Sequence, residues 1–139
     1  MENYDHFMKL CRVLGEQAAA KGNQPVGTII TSEDVIISEA EEAATSKKDI
    51  TCHSEIEAIR LAVQKLKSTD LSQCVLITTH EPCIMCAYAI RFHKIKKVVY
   101  QNKVKWLGCV TSSMPLLTSI EVPPHWSAPP VIIHWVDEE

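Results

Sequence analysis

The chain has 139 residues, of which 46% are hydrophobic, and a formal net charge of −3. Its length predicts a single domain, residues 1–139, with one hydrophobic core, and its apolar content excludes a mainly disordered chain. No apolar run approaches the ~18 residues that span a membrane, and the acidic balance disfavours a protein devoted to the nucleic-acid backbone.

Hydrophobic periodicity predicts a first helix over residues 4–21, which ends at Gly22. Residues 25–30 then have the composition of a buried strand. A turn at residues 32–34 and a second short strand at residues 35–37 complete a predicted hairpin.

A polar loop over residues 40–52 precedes the second predicted helix, which begins near Cys52 or His53. The third strand lies within residues 71–79. Pro82 suits the first turn of a helix, so a third helix is predicted over residues 83–92.

Residues 98–100 read as a fourth strand. Residues 111–130 are rich in loop-forming residues, and residues 131–133 form either a last strand or a short helix. The alternation of strands and helices predicts an α/β fold. We expect a three-layer α/β/α sandwich around a mixed sheet of five strands, or of four without the last.

The N-terminal segment is polar and acidic, where a secretory signal would be basic and then apolar. We therefore expect a cytoplasmic protein whose six cysteines are reduced. The charges are uneven, since residues 33–57 carry eight acids and residues 91–105 carry six bases and no acid. The basic stretch is either a solvated face or a patch for a phosphate-bearing substrate.

Two short motifs carry the chemistry, His53-Ser54-Glu55 and Pro82-Cys83-Ile84-Met85-Cys86. A histidine and two cysteines supply three zinc ligands and leave a fourth tetrahedral position open, as in catalytic zinc sites. Both motifs are predicted at helix N-termini, whose partial positive charge favours thiolate. H-x-E followed by P-C-x-x-C is the signature of zinc-dependent deaminases.

Glu55 lies two residues from a ligand, so on a helix it cannot point in the direction of His53. We predict that Glu55 is a proton shuttle and not a ligand. Catalytic zinc lowers the pKa of bound water from ~16 to ~7. The predicted reaction is hydrolytic deamination of an amidine-like ring carbon by zinc-bound hydroxide, with ammonia as the product.

The residues alone leave three other interpretations open. C-x-x-C also occurs in redox pairs. The domain could be a catalytically inactive binding subunit that zinc stabilises. The zinc could also be structural, with a fourth ligand from one of Cys52, Cys74, Cys109, His80 or His93.

The chain resembles the cytidine deaminase superfamily, in the branch that contains tRNA adenosine deaminases, bacterial guanine deaminases and fungal cytosine deaminase. Three stretches carry the resemblance, residues 25–30, 53–55 and 81–90. The resemblance implies one zinc ion per chain, with His53, Cys83 and Cys86 as ligands. It also implies a homodimer, because members of this branch build the site near a dimer interface.

This chain departs from its relatives at an expected substrate contact. Relatives carry an asparagine after the second strand that contacts the substrate, whereas this chain has acids there, and Glu41 falls nearest that position. His80, at the end of the third strand, and Trp126, in a proline-rich loop, are the other predicted substrate contacts.

Three functions follow from the sequence. We predict a hydrolytic deaminase of a nucleobase, nucleoside or related aminated heterocycle, which the acidic net charge and the short C-terminal region favour. The alternative is deamination of the wobble adenosine of tRNA, which the motifs and the basic stretch favour. The third is a non-catalytic binding subunit, and no membrane partner is expected.

Overall fold

The computed structural model describes residues 3–137, with three helices and five strands in that range. The remaining four residues of the predicted domain, 1–2 and 138–139, lie outside the described residues. The helices are α1 (Asp5–Ala20), α2 (Ser54–Leu66) and α3 (Ile84–Phe92). The strands are β1 (Gly27–Ser32), β2 (Val35–Glu41), β3 (Cys74–His80), β4 (Lys97–Asn102) and β5 (Val131–His134).

The five strands form one mixed sheet in the order β2-β1-β3-β4-β5. β1 is antiparallel to both β2 and β3, whereas β3, β4 and β5 run parallel. The predicted mixed sheet is confirmed in its five-strand form, and residues 131–133 belong to a strand. Within residues 3–137, no helix has the length and apolar content needed to cross a membrane.

Helices cover both faces of the sheet, which confirms the three-layer sandwich. Neighbouring residues of a strand point to opposite faces, so Ile29 packs against α1 while Ile30 packs beneath α2 and α3. The same alternation separates Ile77 from Leu76 in β3. α1 buries Met8 and Cys11 on its face, and the other face is closed mainly by small residues of α2 and α3.

β2 is longer than the strand predicted at residues 35–37. The prediction ended too early because polar residues at the end of β2 hide the alternation of buried and exposed positions. Ser38 and Ala40 are buried, while Glu39 faces solvent. The Ser38 hydroxyl donates to the Ala58 carbonyl of α2 at 2.8 Å. This bond matters because a buried hydroxyl without a hydrogen-bond partner is destabilising. β2 therefore reaches Glu41, next to the loop that leads to α2.

The parallel pair β3 and β4 determines where a site can form. The two strands run together to the pairing of His80 with Asn102. Cys83 follows β3 closely, and residues 103–109 follow β4 at the same edge. The carboxyl ends of parallel strands are the usual ligand-binding edge of an α/β sheet.

Arg91 of α3 holds the irregular segment between β4 and β5. The guanidinium is buried and donates to the carbonyls of Leu116, Ser119 and Ser127 at 2.7, 3.0 and 3.3 Å. The sequence placed Arg91 in a basic surface stretch, whereas the structure uses it as an internal brace for loop carbonyls.

We expect Arg91→Ala to lower the free energy of unfolding by about 2–3 kcal/mol, because the charged hydrogen bonds to three loop carbonyls are lost. Urea denaturation of the zinc-loaded protein measures this change. The matched control is Arg60→Ala, which removes a half-exposed pair with Glu57 on α2 and should cost less than about 1 kcal/mol. Equal losses in the two variants would contradict the bracing role.

Candidate metal centre and catalytic carboxylate

Two helix N-termini bring the predicted ligands together. His53 is the N-cap residue of α2, Cys83 is the N-cap residue of α3, and Cys86 lies in the first turn of α3. The Nδ1 atom of His53 lies 3.5 Å from the Sγ atom of each cysteine. All three ligand atoms lie within 4.8 Å of one another.

This spacing fits a tetrahedral zinc ion. Zn–S bonds of ~2.3 Å and Zn–N bonds of ~2.0 Å at the tetrahedral angle separate nitrogen from sulfur by ~3.5 Å. The 3.5 Å separations of His53 Nδ1 from both sulfurs match this value. Within residues 3–137, no fourth histidine, cysteine or carboxylate joins the group. The donor set is therefore that of an open site and does not support the closed, structural interpretation.

The three ligands differ in their protonation. A hydrogen bond from Cys86 and the proximity of His53 outweigh burial and lower the pKa of Cys83 to about 4. The bond to Cys83 and burial hold the pKa of Cys86 well above its usual value. Chiefly through its bond to Cys83, His53 has its pKa raised to about 9. Zinc binding must displace the protons that remain on His53 and Cys86.

Glu55 lies beside the ligands in the first turn of α2 and is buried, with 4% of its surface exposed. Burial raises the pKa of Glu55 to about 7, and the negative charge of Cys83 adds to the rise. A carboxyl group with a pKa near the operating pH can both accept and return a proton. The geometry therefore suits the predicted proton shuttle.

A buried chain of hydroxyl groups positions the Glu55 carboxylate. Ser54 donates to Oε1 at 3.2 Å, and Thr78 donates to Oε2 at 3.3 Å. Thr28 bonds to both Ser54 and Thr78, at 2.8 and 3.0 Å. Sequence inspection missed Thr28 and Thr78, since threonine is ordinary in strands. Only the antiparallel register, which pairs Thr28 with Thr78, reveals that they share the site.

Glu42, one residue beyond the predicted Glu41, is the acid that reaches the site. It is buried, and its Oε1 accepts the Ser54 N–H at 3.0 Å, which caps the start of α2. Burial raises the pKa of Glu42 above its usual value, although the Ser54 N–H and the charge of His53 oppose the rise. Glu41 instead pairs with Lys21, the C-cap residue of α1, at 3.0 Å. Its contact with substrate stays a prediction that this placement does not support.

The other two predicted substrate contacts also lie outside the ligand cluster. His80 ends β3, and its Nδ1 lies 2.8 Å from the Thr79 hydroxyl. Trp126 is buried against α3, edge-on to Tyr88 at 4.8 Å and beneath the Arg91 guanidinium at 5.7 Å. Trp126 therefore packs as a core side chain, although its indole N–H has no partner among the described residues.

Glu81 anchors the segment that follows β4 to the ligand-bearing segment. Its carboxylate accepts the N–H groups of Val104, Val110 and Thr111 at 3.2, 2.8 and 2.7 Å, and the Thr111 hydroxyl at 2.8 Å. Burial alone would raise the pKa of Glu81, but these donors together lower it. Gly108 packs so closely that a Cβ there would overlap the carboxylate.

Comparisons with known proteins agree with this geometry. A family model described as the cytidine and deoxycytidylate deaminase zinc-binding region matches residues 1–102, which include Glu55 and all three ligands. The tRNA-specific adenosine deaminase of Aquifex aeolicus is 39% identical over 113 residues, covering 81% of this chain and 75% of that protein. The guanine deaminase of Bacillus subtilis is 35% identical over 99 residues, covering 70% of this chain and 64% of that protein.

A solved structure gives the most extensive likeness among these. It comes from a study of A-to-I editing by tRNA:A34 deaminases at the wobble position of transfer RNA. It matches this chain with a TM-score of 0.83 at 29% identity, and the match covers 94% of this chain and 97% of the other. The likeness therefore extends beyond residues 1–102.

We expect zinc binding to the metal-free protein at pH 7 to release about two protons, one from His53 and one from Cys86. Both groups have raised pKa values, so the affinity for zinc should increase as the pH rises from 6 toward 9. Calorimetry in buffers of different ionisation enthalpy counts the protons. A zinc affinity independent of pH would contradict these assignments.

Cys83→Ala should lose stoichiometric zinc, because it removes one of the three ligands.

Proposed function

This chain belongs to the cytidine and deoxycytidylate deaminase family, and we propose that it deaminates adenosine at the wobble position of tRNA. In this proposal His53, Cys83 and Cys86 hold the zinc ion that the family requires, and Glu55 moves the protons. Wobble adenosine is the alternative substrate that the sequence predicted. The comparisons favour it over a free heterocycle, which was the main prediction from the sequence.

The extent of the structural likeness carries the proposal. The tRNA:A34 deaminase match covers 97% of that chain, at a TM-score of 0.83. The structural match to the guanine deaminase of Bacillus subtilis covers 66% of that chain, at a TM-score of 0.70. A free purine base is the second candidate substrate, because that relative is still 35% identical over the part that contains the metal ligands.

The reaction replaces the exocyclic amine of adenosine with oxygen, so that adenosine and water give inosine and ammonia. Zinc, when bound, acts as a Lewis acid that lowers the pKa of a water ligand. Glu55 accepts one proton from the attacking water and delivers it to a ring nitrogen, and it then takes the second proton from the newly added hydroxyl group and delivers it to the leaving amine. The hydroxyls of Ser54 and Thr78 hold both carboxylate oxygens in place for these transfers.

Glu42 takes the substrate-facing role that the sequence considered for Glu41. Its support is its burial beside α2 and its electrostatic coupling to His53 and Cys83. An ionised carboxylate accepts hydrogen bonds, so it favours a ring or ribose group that donates one. The proposal also includes a homodimer, which the family resemblance implies, and a single domain over residues 1–139.

The test is inosine formation in an anticodon stem-loop RNA with adenosine at the wobble position, measured beside ammonia release from guanine, adenine and cytosine. We expect inosine at that position alone, with a rate that falls steeply as salt rises, because the RNA is a polyanion. Ammonia from guanine without inosine in the RNA would contradict the proposal and support the second candidate.

We expect Glu55→Gln to retain one zinc ion per chain and to lose turnover by about 10²–10⁴-fold, the usual contribution of general acid–base catalysis. Zinc content and single-turnover rates measure the two effects separately. Glu57→Gln, on the same turn of α2 but paired with Lys47 and Arg60 at the surface, is the matched control and should keep its activity. Normal turnover in zinc-loaded Glu55→Gln would refute the shuttle.

A further inference from the structure

We propose that Thr28 is a positioning residue for the reaction. Its hydroxyl closes a buried ring, which we call the hydroxyl ring, that holds Glu55 in place both before and after Glu55 accepts a proton. The other members of the hydroxyl ring are the hydroxyls of Ser54 and Thr78. This inference rests on the proposed function, in which Glu55 moves the protons, but it does not depend on which ring substrate is deaminated.

The hydroxyl ring forms where three elements meet. Thr28 lies in β1 and Thr78 in β3, and the antiparallel register places the two threonines directly opposite each other. Ser54 and Glu55 are the first two residues of α2. Both threonines and Ser54 are fully buried, and Glu55 is 4% exposed. Bulk water therefore does not supply hydrogen bonds to these groups.

Four contacts close the hydroxyl ring. The Thr28 hydroxyl lies 2.8 Å from that of Ser54 and 3.0 Å from that of Thr78. Ser54 and Thr78 in turn lie 3.2 and 3.3 Å from the two carboxylate oxygens of Glu55. Within residues 3–137, the three hydroxyls form no other side-chain hydrogen bonds, so all their partners lie inside the ring.

An ionised Glu55 is held without the help of Thr28. An ionised carboxylate only accepts hydrogen bonds, and each hydroxyl donates one. Ser54 and Thr78 both donate to Glu55, so their hydrogens are used there. Thr28 donates to Thr78, which leaves its contact with Ser54 without a hydrogen. The ring is therefore one hydrogen short while Glu55 is ionised.

A protonated Glu55 supplies the missing hydrogen, and in this state Thr28 becomes necessary. When an O–H bond of the attacking water breaks and its proton passes to Glu55, the resulting acid can donate to Ser54. Ser54 then turns its own hydrogen to Thr28. Thr28 donates to Thr78, which donates to the other oxygen of Glu55. Every donor now has an acceptor, and hydrogen bonds in such a chain strengthen one another.

Reversible donors distinguish Glu55 from Glu81. Glu81 accepts the backbone N–H groups of Val104, Val110 and Thr111, and an N–H group cannot accept a hydrogen bond from an acid. A hydroxyl can both donate and accept. Because a proton shuttle gains and loses protons in every turnover, it needs partners of the second kind to stay in position.

Thr28→Val should therefore slow the chemical step and leave the resting protein intact. Ser54 and Thr78 still donate to the ionised carboxylate, so we expect one zinc ion per chain and an unchanged KM. After proton transfer, however, the Ser54 hydrogen has no acceptor in a buried site. We expect kcat and the single-turnover rate to fall by about 2–10-fold, the effect of one hydrogen bond made only in the reacting state.

The experiment measures single-turnover rates, KM and zinc content with the anticodon stem-loop RNA, or with guanine if guanine alone is turned over. Thr28→Ser keeps the hydroxyl and should restore the parent rate. The matched control is Thr31→Val, which makes the same change at another buried threonine of β1. Thr31 pairs with Val75, toward the other end of β3 from Thr78, so this variant should keep the parent rate.

A double-mutant cycle tests whether the hydroxyl ring acts as a unit. Thr78→Val opens the same ring and also removes a direct donor to Glu55, so it should lower kcat more than Thr28→Val does. Adding Thr28→Val to Thr78→Val should then cost little more, because the ring is already open. Two hydroxyls that acted independently would instead give rate losses that multiply.

The proposal is overturned if Thr28→Val keeps the parent rate, if Thr28→Ser does not restore it, or if the losses in the cycle multiply. A raised KM or a loss of zinc at unchanged kcat would also overturn it, because Thr28 would then only support the shape of the site. Failure of the proposed function looks different: guanine and not RNA would be deaminated, and Thr28→Val would still slow the release of ammonia. If neither substrate is turned over, both proposals are overturned.

Discussion

The site depends on the close approach of two helix N-termini. Their ligand side chains lie at a distance that a metal ion or a shared proton bridges. His53 Nδ1 lies 3.5 Å from two sulfurs, and each of the helices α2 and α3 directs its positive end toward the cluster. Such an arrangement needs negative charge to be stable. The Cys83 thiolate provides it directly, and the neighbouring carboxylates add to it.

Three buried glutamates lie in or next to the segments that carry the ligands, and their partners give each a different role. Glu81 accepts several strong donors and remains ionised as an anchor for the segment after β4. Glu42 caps α2 through one backbone N–H. Glu55 has only two hydroxyl partners, so burial dominates and its pKa rises to about 7. The several donors to Glu81 thus separate it from Glu42 and Glu55, for which burial dominates, and of these two Glu55 has its pKa raised to about 7.

Much of this could be predicted from the sequence, because local patterns specify it. Hydrophobic periodicity located the helices, and the two motifs that contain His53, Cys83 and Cys86 predicted a zinc site, although they left a structural site open as an alternative. Glu42 and Glu41 could not be separated, because only the end of β2 decides which acid turns inward. The polar residues at the end of β2 made the predicted strand too short. The roles of Thr28, Glu81 and Arg91 depend on register and loop packing, which no local pattern encodes.

The most direct test of the central claim is the zinc K-edge X-ray absorption spectrum of the protein as purified. Our assignment predicts two sulfurs at ~2.3 Å and two lighter atoms at ~2.0–2.1 Å, of which one is the His53 nitrogen and the other is displaced by added ligand. A third sulfur, or a fourth ligand that no added anion displaces, would contradict an open catalytic centre and indicate a structural zinc site.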